Sequence, residues 1–152
     1  MYGVDGMAEA YNKSLAGVEL SGPTYVAPVL REFLKHVKGL ASTQIYSIMV
    51  LMTDGMINDL PEAKNAIVEL SYHPCSLIIV GVGSNIDWGK FEQFLKAGGS
   101  IKNANGQIGM REILEFVPFN KLKGNLSEDV LKKVPLEFMT YMEKTGVVPK
   151  PM

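Results

Sequence analysis

The chain has few of the residues that carry chemistry unaided: among 152 residues there are one cysteine, one tryptophan and two histidines. A lone thiol, Cys75, excludes an intrachain disulfide. With its apolar neighbours it reads as a small core residue of a protein from a reducing compartment, so the cytoplasm is the expected location. His36 and His73 have no cysteine or acidic cluster at metal-ligand spacing, which leaves them as surface or capping groups. Charge of one sign is also lacking, since 15 Lys+Arg oppose 16 Asp+Glu for a net charge of -1. Without a Lys/Arg cluster, nucleic acid is not an expected partner. No apolar run reaches the roughly 18 residues of a membrane span, and Met1-Tyr2-Gly3-Val4-Asp5 lacks a charged-then-apolar signal pattern. The sequons Asn12-Lys13-Ser14 and Asn125-Leu126-Ser127 are therefore read as chance matches. A Walker-type phosphate loop is missing. Gly81-Val82-Gly83 begins a dinucleotide fingerprint but has Ile86 where the third glycine belongs. Ser14, Ser47 and Cys75 stand outside the strand-turn-helix context of a catalytic nucleophile.

What the chain does have is apolar content, 47% of its residues, enough for one domain with a real core. Two continuous aliphatic runs punctuate it. Ile45 to Leu51 passes through Met52 and Thr53 to Asp54-Gly55, and Ser76 to Val82 closes on Gly81-Val82-Gly83-Ser84. Both read as strands buried on two faces of a parallel sheet. Between them, Asp59-Leu60-Pro61-Glu62 opens a helix through Leu70 that carries Ala63, Ala66, Ile67 and Leu70, so the stretch forms a βαβ unit.

Helical spacing also marks Asp5 to Leu15, with Met7, Ala10, Tyr11 and Leu15 on one side. A second such stretch, Tyr25 to Leu40, has Thr24 as N-cap, and in it Val26, Val29, Leu30, Phe33, Leu34 and Val37 repeat at three and four. Asp87 to Ala97 reads as a short helix carrying Trp88, Phe91, Phe94 and Leu95, and Ser100 to Gly109 as a loop. Glu112 to Phe119 is a short strand whose Pro118 marks a strand end or a sheet edge. Ser127 caps a last helix, Glu128 to Lys144, that Pro135 kinks or interrupts and Gly146 ends.

Asp54 is the residue to suspect, because the carboxyl ends of parallel strands are where such sheets place ligand chemistry. A carboxylate beside a threonine hydroxyl can hold a hard cation such as Mg²⁺, which keeps several of its waters. Asp54 is equally well read as a cap of the turn that follows, and the bare residue does not choose.

Gly22-Pro23-Thr24, Thr53-Asp54-Gly55-Met56-Ile57-Asn58-Asp59, Ile78-Ile79-Val80-Gly81-Val82-Gly83 and Phe116-Val117-Pro118-Phe119 resemble, in order and spacing, the von Willebrand factor A-like domain of copines. Glu9-Ala10-Tyr11 and the Val134-Pro135 helix ending in Tyr141-Met142 extend the similarity from about Met7 to Pro149. The resemblance implies a doubly wound, mostly parallel α/β sheet of Rossmann type with helices on both faces. Residues 1–146 would be the carboxyl-terminal portion of that domain, its amino-terminal strands missing, and 147–152 a tail.

It also implies a metal-ion-dependent adhesion site, built from an Asp-x-Ser-x-Ser loop, a threonine from a second loop and an aspartate from a third. Thr24 matches the second element and Asp54 the third; the first does not occur in this chain. Mg²⁺ (or Mn²⁺ or Ca²⁺) at so incomplete a site is expected to bind weakly or not at all. The implied function is a non-enzymatic module that recruits protein partners through the metal-site face. Calcium-dependent phospholipid binding would reside in C2 domains outside this chain. The strand ending at Asp54 would lack its neighbour, an exposed edge open to self-association. Two other readings are a doubly wound nucleotide-binding or phosphotransfer enzyme, and an assembly domain with a vestigial metal site.

Overall fold

The two aliphatic runs pair side by side, in parallel, as the first strands of a three-stranded sheet. The computed structural model describes residues 3–19, 21–40, 42–55, 57–83, 88, 101–122 and 126–148. Strand β1 spans Ser47–Thr53 and β2 Cys75–Gly81, in register from Ser47↔Cys75 to Thr53↔Gly81. Strand β3, Leu114–Pro118, lies parallel on the other side of β2, from Leu77↔Leu114 to Gly81↔Pro118. The order β1-β2-β3 makes β2 central. The helices are α1 (Gly3–Leu15), α2 (Ala27–Gly39), α3 (Leu60–Leu70), α4 (Leu126–Leu131) and α5 (Val134–Thr145), with a 3-10 turn at Phe119–Lys121. The architecture is α/β, and β1-α3-β2 is the βαβ unit that the alternation of patterns predicts.

Because successive strand residues face opposite sides, β2 splits the core in two. Leu77 and Ile79 join Leu30, Leu34 and Val37 of α2 and Ala63, Ala66, Ile67 and Leu70 of α3 on one face. Ile78 and Val80 join Val117 and Val130 of α4 on the other. Leu30, Leu70, Leu77 and Ile79 are essentially inaccessible, and each such side chain contributes about 1.5–3 kcal/mol of transfer free energy. Trp88 closes the first face against Phe116, ring centroids 5.6 Å apart. It lies so close over Gly81 that a Cβ there would stand 2.8 Å from the indole ring.

Several expectations need correcting. The run ending at Asp54 is not buried on both faces: β1 pairs with β2 alone among the described residues, and Ile48, Val50 and Met52 are 44%, 51% and 73% exposed. Full burial belongs to β2, which has a strand on either side and helices on both faces. Helix α1 forms, yet none of its residues is buried, so Met7, Tyr11 and Leu15 face solvent. Thr24 does not cap α2, which begins at Ala27 with Val26 at the N-cap. Ser127 sits inside the first turn of α4 and is not its N-cap. Pro135 interrupts the last helix: it occupies the first turn of α5, where its missing N–H costs nothing, and Gly146 ends α5 at φ 65°. Pro118 is both the last residue of β3 and on a strand paired on one side. The expected helix from Asp87 to Ala97, apart from buried Trp88, lies outside the described residues, as does the end of the tail.

Candidate functional site

At the carboxyl end of β1 the chain turns through Thr53, Asp54 and Gly55. The buried Thr53 hydroxyl accepts from the Gly55 N–H at 3.3 Å, and Gly55 takes φ 134°, a conformation that side chains resist. The turn leaves Asp54 exposed.

The loop carrying Thr24 is pinned to this turn by two residues. Asn58 exchanges two hydrogen bonds with Thr24: the Thr24 N–H donates to Asn58 Oδ1 at 2.8 Å, and the Asn58 N–H donates to the Thr24 carbonyl at 2.9 Å. Asp59, largely buried, accepts from the Val26 and Ala27 N–H groups through its two carboxylate oxygens, each at 2.8 Å. These are orphan donors at the first turn of α2, so the anion satisfies them and meets the positive end of the helix dipole. Asp59 stands at the N-cap of α3 but makes no side-chain cap there, because its oxygens serve the other helix.

The structure thus brings together the loops of both sequence-predicted residues. Thr24 and Asp54 are exposed, and no hydrogen bond or ion pair occupies the Thr24 hydroxyl or the Asp54 carboxylate among the described residues. Two free hard oxygens on adjoining loops suit Mg²⁺ chemically, but they fill only part of its coordination. Asp59 is largely buried and already engages both carboxylate oxygens with α2. Among the described residues no group of three or more His, Cys, Asp or Glu is gathered as a metal cluster. Neither of two cavities, ≈ 350 and ≈ 290 Å³, is lined by Thr24 or Asp54.

A second polar constellation, which the sequence did not reveal, sits at the opposite end of the sheet. Buried Arg111 donates through Nη2 to the carbonyls of His73 (2.5 Å) and Cys75 (2.6 Å), and through Nη1 to the Tyr46 hydroxyl (3.4 Å). That hydroxyl lies 2.8 Å from Ser76 Oγ, which donates to the Glu137 carboxylate of α5. Burial raises the Glu137 carboxyl pKa above the usual range, against the lowering effects of the Ser76 hydrogen bond and the Arg111 charge. Burial likewise raises Tyr46, and it pushes the fully buried Cys75 thiol up to about 12. Ser76 and Cys75 have no exposure, and the network ties α5 to the strands; Arg111 and Tyr46 at its margin each line one of the two cavities. Spacing gives no sign of it, because its hydrogen-bonded partners lie up to 65 residues apart.

The fold and site define a parallel α/β domain that presents oxygen donors on loops at the carboxyl end of its sheet. A family model described as Copine matches residues 1–150. The chain is 35% identical over 158 aligned positions to Copine-C of Dictyostelium discoideum, covering 99% of this chain and 29% of that protein. It belongs to the copine family. It spans 29% of the length of that relative. No helix among the described residues is long and apolar enough to cross a membrane.

Proposed function

We propose that this chain is a non-enzymatic protein-interaction module of von Willebrand factor A type, which recruits protein partners through the face carrying Thr24 and Asp54. The observation that carries the reading is the pinning of those two loops by Asn58 and Asp59, which leaves both oxygen donors free toward solvent. A divalent cation held there by Thr24 and Asp54, with further ligands from outside these residues, would supply an electrophilic bridge to an acidic side chain of the partner. This chain's own contribution is to fix the two loops so that little ordering is left to binding. Cytoplasmic location, and calcium-dependent phospholipid attachment through C2 domains elsewhere in a longer polypeptide, complete the proposal.

Titration with MnCl₂, followed by the paramagnetic resonance of free Mn²⁺, tests the cation part. Asp54→Ala should abolish whatever binding the chain retains, with its circular dichroism unchanged. Equal Mn²⁺ binding by both proteins would refute the role of Asp54. Partner capture by a copine polypeptide containing this domain should fall in Asp54→Ala and in EDTA; capture indifferent to both would remove the metal-dependent reading.

A further inference from the structure

We propose that Asn105 is a site of spontaneous deamidation, at which the Gly106 amide turns the side chain through a succinimide into aspartate and isoaspartate, releasing the 102–108 hairpin from α3. Asn105 is followed by glycine, as no other asparagine of the chain is. Asparagine is among the thermolabile side chains, and a glycine after it leaves the attacking nitrogen without a neighbouring Cβ. The pair stands at the tip of a hairpin. Lys102 and Ile108 bridge antiparallel, the Asn103 N–H donates to the Gln107 carbonyl at 3.0 Å, and the Gly106 N–H donates to the Asn103 carbonyl at 3.0 Å. Gly106 takes φ 77°, the left-handed conformation that closes a three-residue hairpin loop.

Both reacting groups are accessible. Asn105 is exposed, and no hydrogen bond occupies its side-chain amide among the described residues. A Cβ built on Gly106 would meet nothing within 4 Å, so no packed group shields the nitrogen. Asn103 in the same loop supplies the contrast. Its Oδ1 accepts from the Asn105 and Gln107 N–H groups at 3.0 and 2.8 Å, its Nδ2 donates to Gln107 Oε1 at 3.1 Å, and Ala104 follows it. The hairpin feeds β3, on the side of β2 away from β1, beside which the missing amino-terminal strands would lie.

In the reaction the Gly106 nitrogen, having lost its proton to hydroxide, attacks Cγ of Asn105. The N–Cγ bond forms, the Cγ–Nδ2 bond breaks, and the amide group leaves with a proton from water as ammonia. Water then opens the ring at Cγ, giving aspartate, or at the backbone carbonyl, giving isoaspartate, whose main chain runs through the side-chain methylene. Either product carries a new negative charge, and isoaspartate lengthens the loop by one atom. The longer loop no longer matches the closing bond from Gly106 to Asn103 or the clasp of Asn103 Oδ1. The hairpin's hold on α3 goes with them, since the Ala104 N–H donates to Asn65 Oδ1 at 3.0 Å and Gln107 Nε2 to the Tyr72 hydroxyl at 3.5 Å.

Peptide mapping by mass spectrometry, after incubation of the chain, provides the test. Asn105 should gain the mass difference between water and ammonia, at a rate that rises with pH, while Asn103 stays intact. Because the bond from Gly106 to Asn103 must open first, the folded chain should convert roughly two- to tenfold more slowly than the urea-unfolded chain. Asn103→Ala, which removes the clasp, should convert at least about twofold faster than the parent. Gly106→Ala should suppress the reaction. In the converted protein the Ala104 amide should lose protection against hydrogen exchange, while the buried Leu77 and Ile79 keep theirs. An Asn105 that stays intact in the folded chain while the unfolded chain converts would overturn the proposal, as would equal conversion of Asn103. Conversion with Ala104 still protected would overturn the release of the hairpin.

Discussion

Removing the Asp59 carboxylate should loosen the candidate site from its foundation, without touching either exposed donor. Asp59 accepts two N–H groups, from Val26 and Ala27, at 2.8 Å each, from a largely buried position. Losing an N-cap costs about 0.5–2 kcal/mol, and an anion at a partly buried helix N-terminus adds up to about 2 kcal/mol. Asp59→Ala should therefore lower stability by about 0.5–4 kcal/mol. Asp59→Asn, which keeps one acceptor oxygen and loses the charge, should cost about half as much. For a chain of this length, about 2–4 °C in Tm accompanies each kcal/mol, so Asp59→Ala should melt lower, by up to roughly 16 °C. Urea denaturation measures the free energy, and amide hydrogen exchange locates it. The Val26 and Ala27 amides should lose protection well beyond the loss at Leu77 or Ile79 in the core. A Tm unchanged within about 1 °C, or a loss spread evenly over the domain, would refute the assignment of Asp59 as the cap of α2.

Gly81→Ala should cost about 1–3 kcal/mol, because its Cβ would stand 2.8 Å from the indole of Trp88; urea titration gives the loss, and fluorescence of the single tryptophan should report the displaced ring. A stability unchanged within error would mean that the ring moves aside freely. Glu137 predicts a pH dependence. Its folded carboxyl holds a proton above the ordinary carboxylate range, so between the unfolded and the raised folded pKa the native state binds more protons than the unfolded state. Its contribution is thus fully present below the unfolded value and is lost as pH rises through the folded one. Glu137→Gln should remove that decline, so the difference in urea stability between variant and parent should change between pH 4 and pH 7 in favour of the variant; a constant difference would contradict the burial-driven shift.

Helix α3 was legible residue by residue, because Ala63, Ala66, Ile67 and Leu70 recur at helical spacing and all four are buried. The two strands were legible as strands but not in rank. β1 and β2 are both aliphatic, yet among the described residues only β2 has a neighbour on each side and helices on both faces. In the candidate site, Thr24 and Asp54 came from motif resemblance, while Asn58 and Asp59, which hold their loops together, passed for ordinary residues before a helix. An aspartate ahead of a helix is expected to cap that helix, and nothing local says that it caps another.

By itself the sequence determined that β1, β2 and β3 are extended and that α1, α2, α3 and α5 are helical, and where Pro135 and Gly146 interrupt or end a helix. Those properties rest on periodicity and on backbone dihedrals, which act over a few residues. Only the tertiary structure decided that β2 lies between β1 and β3, that Asp59 reaches 33 residues back to α2, and that Arg111, Tyr46, Ser76 and Glu137 form one network. Each depends on which distant groups must be taken out of water together, and burial of polar groups enforces those partnerships only when the whole chain is packed.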